Sequence, residues 1–167
     1  MEILNVTAAD YSQIRNILNY YIINTKVNFE TEPISVDAFN KMVCEIPYPF
    51  LVAKENNVVF GYAYLSKYNS KRGYDITSDL TIYLDQSKKI KGLGTLLFNE
   101  LLRRVSDTEI ENIVSIIEVS NKESILFHEK MGFEKVSTMN DVGYKFDEYL
   151  SIYYYLKRIK THKQNTL

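Results

Sequence analysis

A lysine-rich loop with two glycines, Lys88-Lys89-Ile90-Lys91-Gly92-Leu93-Gly94, separates an apolar run from an amphipathic one. Upstream, Asp79-Leu80-Thr81-Ile82-Tyr83-Leu84 is rich in β-branched and aromatic residues. Downstream, Leu96, Leu97, Leu101, Leu102 and Val105 recur at three- and four-residue steps. The order is strand, glycine loop, helix. A helix N-terminus leaves backbone N–H groups unpaired and partly positive, and glycines let an anion approach the backbone without meeting a Cβ. A pyrophosphate suits such a junction. Two glycines at this spacing also make an ordinary tight turn, so the loop by itself leaves both readings open. No Gly-x-x-x-x-Gly-Lys-Ser/Thr run is present, and Leu97 stands where Gly-x-Gly-x-x-Gly needs its third glycine. Lys88, Lys89 and Lys91 add positive charge, with solvated surface as the plain alternative.

The elements that must position this loop can be read along the chain. Ile3–Val6 reads as a strand, and Thr7 with Asp10 resembles a capping box opening a helix through Tyr11, Ile14, Ile17, Leu18, Tyr21 and Ile22. Asn24 to Pro33 is a loop. Ser35 caps a second helix that ends near Ile46 before Pro47. Phe50–Glu55 and Val58–Ser66 form a hairpin across Asn56-Asn57, and Lys67–Thr77 is a polar connection. The strand Asp79–Leu84 then enters the glycine loop, whose helix reaches Val105. Ile113–Val119 is a strand, Asn121–Met131 a helix ended by Gly132, and Val136–Met139 and Tyr149–Leu156 complete the sheet. Antiparallel hairpins with one strand–helix–strand crossover predict an α/β or α+β sandwich.

At 167 residues, 46% hydrophobic and 25% charged, the chain fits one globular domain over residues 1–160, with 161–167 a disordered tail. A formal charge of −1 argues against coating nucleic acid and favours a small-molecule or protein partner. No apolar run reaches membrane-spanning length and no signal core follows a basic N-terminus, so a cytoplasmic protein is expected. The single cysteine, Cys44, excludes an internal disulfide. Its place among Phe39, Met42, Val43 and Ile46 reads as core, with a nucleophile as the alternative. No His/Asp/Glu cluster has metal-ligand spacing, so no metal is expected.

The glycine loop together with Asn121-Lys122-Glu123-Ser124-Ile125-Leu126-Phe127-His128-Glu129-Lys130-Met131-Gly132-Phe133 resembles the GNAT acetyltransferase superfamily. Within it, Val27–Pro33, Tyr62-Ala63-Tyr64, Tyr74 through Tyr83 and Val142-Gly143-Tyr144-Lys145-Phe146 are similar to the phosphinothricin and methionine sulfone/sulfoximine N-acetyltransferases. The resemblance implies a mixed, mostly antiparallel sheet flanked by helices, with splayed strands that bind acetyl-CoA. It places the coenzyme A pyrophosphate on Lys89, Ile90, Lys91, Gly92, Leu93, Gly94 and Thr95. The pantetheine arm falls on the backbone of Ile82, Tyr83 and Leu84, with Asn121 reaching the same arm or the thioester end. Strand addition is the physical logic of that pairing.

Attack of an amine on a thioester needs the neutral amine, so a base must take a proton from the ammonium. Asp79 stands where the phosphinothricin acetyltransferases carry Glu, and apolar surroundings would raise its pKa toward a useful value. Asp is one methylene shorter, a difference of about 1.3 Å that calls for a bridging water or a shifted substrate. The plain alternative is a strand-end cap. His128 falls where the wider superfamily places a tyrosine that protonates the departing thiolate, and a buried structural histidine bonded to a carbonyl is its alternative.

Substrates of that subfamily are amino acid analogues, which call for cations. Lys71, Arg72 and Lys145 are available, with Phe29, Tyr74 and Tyr83 as walls, against the plain reading that loop cations are solvated. His162 lies in the polar tail. Fourteen tyrosines, several within Tyr149–Tyr155, suit a homodimer interface. The implied activity is acetyl transfer to the α-amino group of a small amino-acid-like amine. The alternatives are a peptide or protein N-acetyltransferase and an idle coenzyme A-binding sensor.

Overall fold

The computed structural model describes residues 1–88 and 90–160, so Lys89 and the tail expected at 161–167 lie outside the described residues. The chain opens with β1 (Glu2–Asn5). The Thr7 amide and hydroxyl both donate to Asp10 Oδ2 at 2.9 Å, which makes a turn of 3-10 helix before α1 (Tyr11–Asn24). Lys54 pairs with the other oxygen of Asp10 at 2.7 Å, and these donors hold that carboxyl below its usual range although burial opposes them. In α2 (Val36–Glu45) the Ser35 hydroxyl accepts from the Ala38 amide. Cys44 departs from expectation. It is exposed, because Phe39, Met42, Val43 and Ile46 cluster on one helical face while a residue five positions after Phe39 sits about 140° away.

The hairpin of β2 (Phe50–Glu55) and β3 (Val58–Lys67) turns at Asn56 and Asn57, both with positive φ as the expected turn requires. A 3-10 turn (Arg72–Tyr74) leads into β4 (Thr77–Leu84), then α3 (Leu93–Arg104), β5 (Asn112–Glu118) and α4 (Lys122–Lys130). The chain closes with β6 (Glu134–Lys145) and β7 (Glu148–Arg158). β6 is three times the length that its apolar pattern suggested. It is an edge strand, exposed along almost its whole length, so its backbone ladder to β7 defines it and no burial pattern does. Its hairpin turns at Phe146 and Asp147, both with positive φ.

The seven strands run β1-β2-β3-β4-β5-β7-β6, all antiparallel neighbours except β4 and β5. Four helices among the described residues flank this mixed α/β sheet, as the sequence led one to expect. Two cores sit on opposite faces. Leu93, Leu97, Phe98 and Leu101 of α3 pack with Leu51, Ala53, Ala63, Leu65, Ile113 and Ile117, while Ile14, Ile17, Leu18, Ile22 and Phe39 pack with Phe50, Val52, Val59 and Tyr62. Apart from Ala53 and Ala63, each of these side chains contributes about 1.5–3 kcal/mol on burial, enough to fix which face the strand residues take. No helix among the described residues is long and apolar enough to cross a membrane.

Candidate active site

The sheet opens in its middle. β4 and β5 are paired only at Thr77–Asn112, Ser78–Ile113 and Asp79–Val114, and then part. Each has another partner: β4 stays on β3 as far as Gly61–Leu84, and β5 stays on β7 as far as Glu118–Ile152. Hydrogen bonds alternate along an antiparallel ladder, and the Asp85 amide donates to the Phe60 carbonyl at 2.8 Å. It follows that the backbone groups of Leu80, Ile82 and Leu84 point away from β3 into the opening. The Val119 amide donates to the Ser151 carbonyl at 3.1 Å, so by the same count Ile116 and Glu118 face the opening from the other side. The result is a cleft of about 1150 Å³ with strand edges for walls.

The mouth of this cleft is the glycine loop. Gly92 takes φ +83°, a left-handed conformation that side chains rarely adopt, and this bends the chain into α3. Gly94 is not strained: a Cβ there would meet Phe127 at an ordinary 3.5 Å, so its use is a bare backbone facing the cleft. The Leu96 amide bonds back to Gly92 O at 3.1 Å, whereas among the described residues nothing accepts from the amides of Gly94 and Thr95. Ile82, Tyr83, Leu84, Ile90, Lys91, Gly92, Leu93, Gly94, Thr95 and Asn121 all line the cleft. The Asn121 side-chain oxygen accepts from the Ser124 amide at 3.2 Å and so caps α4. Its amide nitrogen takes no part in that cap.

Asp79 and Ser115 mark the closed end, where the strands rejoin. Alternation puts Asp79, Thr81 and Tyr83 on the α1 face of the sheet, and Leu80, Ile82, Ser115 and Ile117 on the α3 face. Asp79 Oδ1 is buried without a hydrogen-bond partner among the described residues, and burial raises the carboxyl from 3.8 to about 6. A strand-end cap would have been bonded. The neighbouring Ser78 hydroxyl is likewise buried without a partner among the described residues.

His128 comes from α4, whose C-terminal turn holds it in place. The Phe133 amide donates to His128 O at 2.9 Å and the Gly132 amide to Glu129 O at 3.0 Å, with Gly132 at φ +79°. The imidazole lies edge-on to Phe127 and Phe133 and is 7% exposed. Its Nδ1 sits 2.7 Å from Ser124 O and its Nε2 2.9 Å from Ser115 Oγ. Desolvation lowers its pKa, against the opposing effect of the bond to Ser124. Asp79 and His128 both line the cleft, on opposite faces of the sheet.

The substrate candidates lie elsewhere. Phe29, Lys71, Arg72, Tyr74 and Lys145 are not among the residues lining the cleft. Lys71, Arg72 and Tyr74 are exposed around the 3-10 turn before β4, with Tyr74 edge-on to Tyr68. Lys145 must be corrected from a substrate cation to a clip. Its ammonium donates to Ile22 O and Asn28 O, both at 2.6 Å, and the residue is 5% exposed. Phe29 lies on Gly143, where a Cβ would come within 2.4 Å of the ring. Sequence reasoning did not single out Ser115, Ser66, Glu118, Tyr21 or Thr25, which also line the cleft. A signal existed for Ser115 and Glu118, polar residues in the otherwise apolar run Ile113–Val119; both are buried, and Glu118 accepts from the Ser120 amide and hydroxyl.

A profile of the acetyltransferase (GNAT) domain matches residues 3–152, nearly the whole chain. The protein belongs to the GNAT acetyltransferase family. Phosphinothricin N-acetyltransferase of Streptomyces viridochromogenes is 33% identical over 149 residues, covering 87% of this chain and 80% of that protein. The L-methionine sulfoximine/L-methionine sulfone acetyltransferase of Salmonella typhimurium is 29% identical, covering 92% of each. A GNAT superfamily phosphinothricin acetyltransferase from Sinorhizobium meliloti, solved in complex with acetyl-CoA, superposes with a TM-score of 0.89 at 27% identity, over 94% of this chain and 87% of that one. This GNAT chain is thus an acetyltransferase with its cleft where the sheet parts.

Proposed function

We propose that this protein transfers the acetyl group of acetyl-CoA to the α-amino group of a small amino-acid-like amine, of the phosphinothricin or methionine sulfoximine type. One observation carries the reading: a single cleft runs from free amides at the start of α3 to a buried, unpartnered carboxylate at Asp79. The residues fit the donor. The amides of Gly94 and Thr95, with Lys91, hold the pyrophosphate, and the strand edge at Leu80 and Ile82 pairs with an amide-bearing arm, whereas the Leu84 carbonyl already accepts from the Tyr21 hydroxyl at 2.8 Å. That arm directs the thioester to the closed end. There Asp79 takes a proton from the ammonium, the freed lone pair attacks the acetyl carbon, and His128 serves the departing sulfur. The names of the similar acetyltransferases support the substrate class.

A substrate carboxylate is met by Arg72 or Lys71, which carry no ion pair among the described residues, with Tyr74 beside them. Tyr83 bounds the amine side, where Asn28 donates to its hydroxyl at 3.0 Å. The protein works as a homodimer in the cytoplasm. The exposed Val136, Val142, Tyr144, Phe146 and Tyr149 of the β6–β7 hairpin form the interface. A thiol-release assay with acetyl-CoA tests the reading against phosphinothricin, methionine sulfoximine, their carboxamides and short peptides. Turnover of the acids, with amides poorer, is expected. Turnover of peptides alone moves the protein to peptide acetylation, and acetyl-CoA binding with no turnover of any amine makes it a sensor.

A further inference from the structure

His128 has no open route to the reacting atoms through either nitrogen. The carbonyl of Ser124 can only accept, so Nδ1 carries a hydrogen whether or not the ring is charged. The proton that comes and goes is on Nε2, and Nε2 is closed off by the Ser115 hydroxyl at 2.9 Å. Ser115 is the first β5 residue beyond the last β4–β5 pair, so its Oγ stands at the closed end of the cleft on the same face as His128. Both residues are buried, and the ring is fixed by Phe127, Phe133 and the turn at Gly132. Nucleophile–base pairs in enzymes share this layout of hydroxyl, imidazole and orienting acceptor.

We propose that Ser115 is a catalytic residue, its hydroxyl passing a proton between His128 Nε2 and the atoms bonded to the acetyl carbon. The inference rests on the acetyl-CoA reading above. After Asp79 has taken one proton from the ammonium, attack of the nitrogen lone pair forms the C–N bond and leaves nitrogen with one proton to shed. That proton goes to Ser115 Oγ as Oγ–H passes to Nε2, giving an imidazolium. When the C–S bond breaks and its electron pair leaves with sulfur, Oγ–H protonates the sulfur and Nε2–H restores Oγ. The pair ends as it began, and one proton has moved from nitrogen to sulfur. Burial supports the neutral resting ring this sequence requires. The groups facing the ring are Ser124 from α4, Ser115 from β5 and Tyr155 from β7, and the Tyr155 hydroxyl is turned to Glu129.

A double-mutant cycle decides. His128→Asn keeps a donor for Ser124 O and removes Nε2. Ser115→Val removes the hydroxyl, and Ser115→Thr restores it on a side chain of the same shape. Each loss variant should lower kcat on the order of 10²-fold with acetyl-CoA affinity unchanged, the double variant should be no worse than the poorer single one, and Ser115→Thr should recover most of the rate. Wild-type kcat in Ser115→Val, losses that multiply, or an equally slow Ser115→Thr each overturn the relay. If Ser115→Val does not fold, Ser115→Ala takes its place in the cycle. Acetyl-CoA binding and thiol release by the wild type are measured first, so a failure there strikes the acetyl-CoA reading and not the relay.

Discussion

At the scale of the residue, Asp79 ties activity to a stability cost. A carboxyl with a native pKa of about 6 against 3.8 unfolded binds its proton more tightly when folded. The stability this gives is present below pH 3.8 and is lost as pH rises through 6, so at neutral pH the folded protein carries a desolvated charge. Asp79→Asn should therefore raise stability at pH 7 by about 1–3 kcal/mol, with no gain at pH 4, while lowering kcat/KM by roughly 10²–10⁴-fold. In the wild type kcat/KM should fall as pH drops through 6, the protonated carboxyl being unable to take a proton. Melting curves and rate profiles over pH 4–8 check both, and a variant no more stable at pH 7 would return Asp79 to a structural role. Asp79 was singled out because it heads the apolar run entering the glycine loop and falls where similar enzymes carry Glu; β4 itself begins two residues earlier, at Thr77. Ser115 was not, since a serine in an apolar strand gains its meaning only from the helix packed above it.

At the scale of the element, the loop after α1 is pinned to the β6–β7 hairpin. Lys145 bonds Ile22 O and Asn28 O, Lys26 pairs with Glu148, and Phe29 lies on Gly143. Thr25 and Val27 of the same loop line the cleft, so the clip sets one of its walls. Lys145→Met strands two carbonyls that accepted charge-assisted bonds. It should lower stability by about 2–4 kcal/mol and raise KM for the amine several-fold while leaving acetyl-CoA affinity alone. An unchanged amine KM in a correctly destabilised variant would detach the clip from the site. Helices and central strands were readable because each shows its burial to one side. The β6 strand and the Lys145 clip were not, because an edge strand shows no burial period and a backbone-bonded lysine looks like any loop cation. Cys44 was misplaced by neighbourhood in sequence, its helical angle being decisive.

At the scale of the molecule, one sheet carries two cores and opens between β4 and β5, with Asp79 on one face and His128 on the other. The exposed apolar residues of the β6–β7 hairpin lie at the sheet's far edge, where a second copy can extend it. Sedimentation should show a dimer that Tyr149→Glu with Val136→Lys converts to monomer, and a monomeric wild type would remove this interface. The order strand, glycine loop, helix was visible in the residue pattern; the parting of two strands was expected only from the family resemblance, since it arises from their different partners. The central claim is that the start of α3 holds the pyrophosphate of acetyl-CoA. Calorimetric titration of acetyl-CoA into wild type and Gly94→Asp tests it most directly. An aspartate there meets Phe127 at ordinary contact distance and suits the first turn of a helix, so the fold should hold while its charge opposes the ligand. Binding in the roughly micromolar to millimolar range common for enzyme substrates, lost in Gly94→Asp, is the predicted result; no binding by the wild type, or equal binding by both, would contradict it.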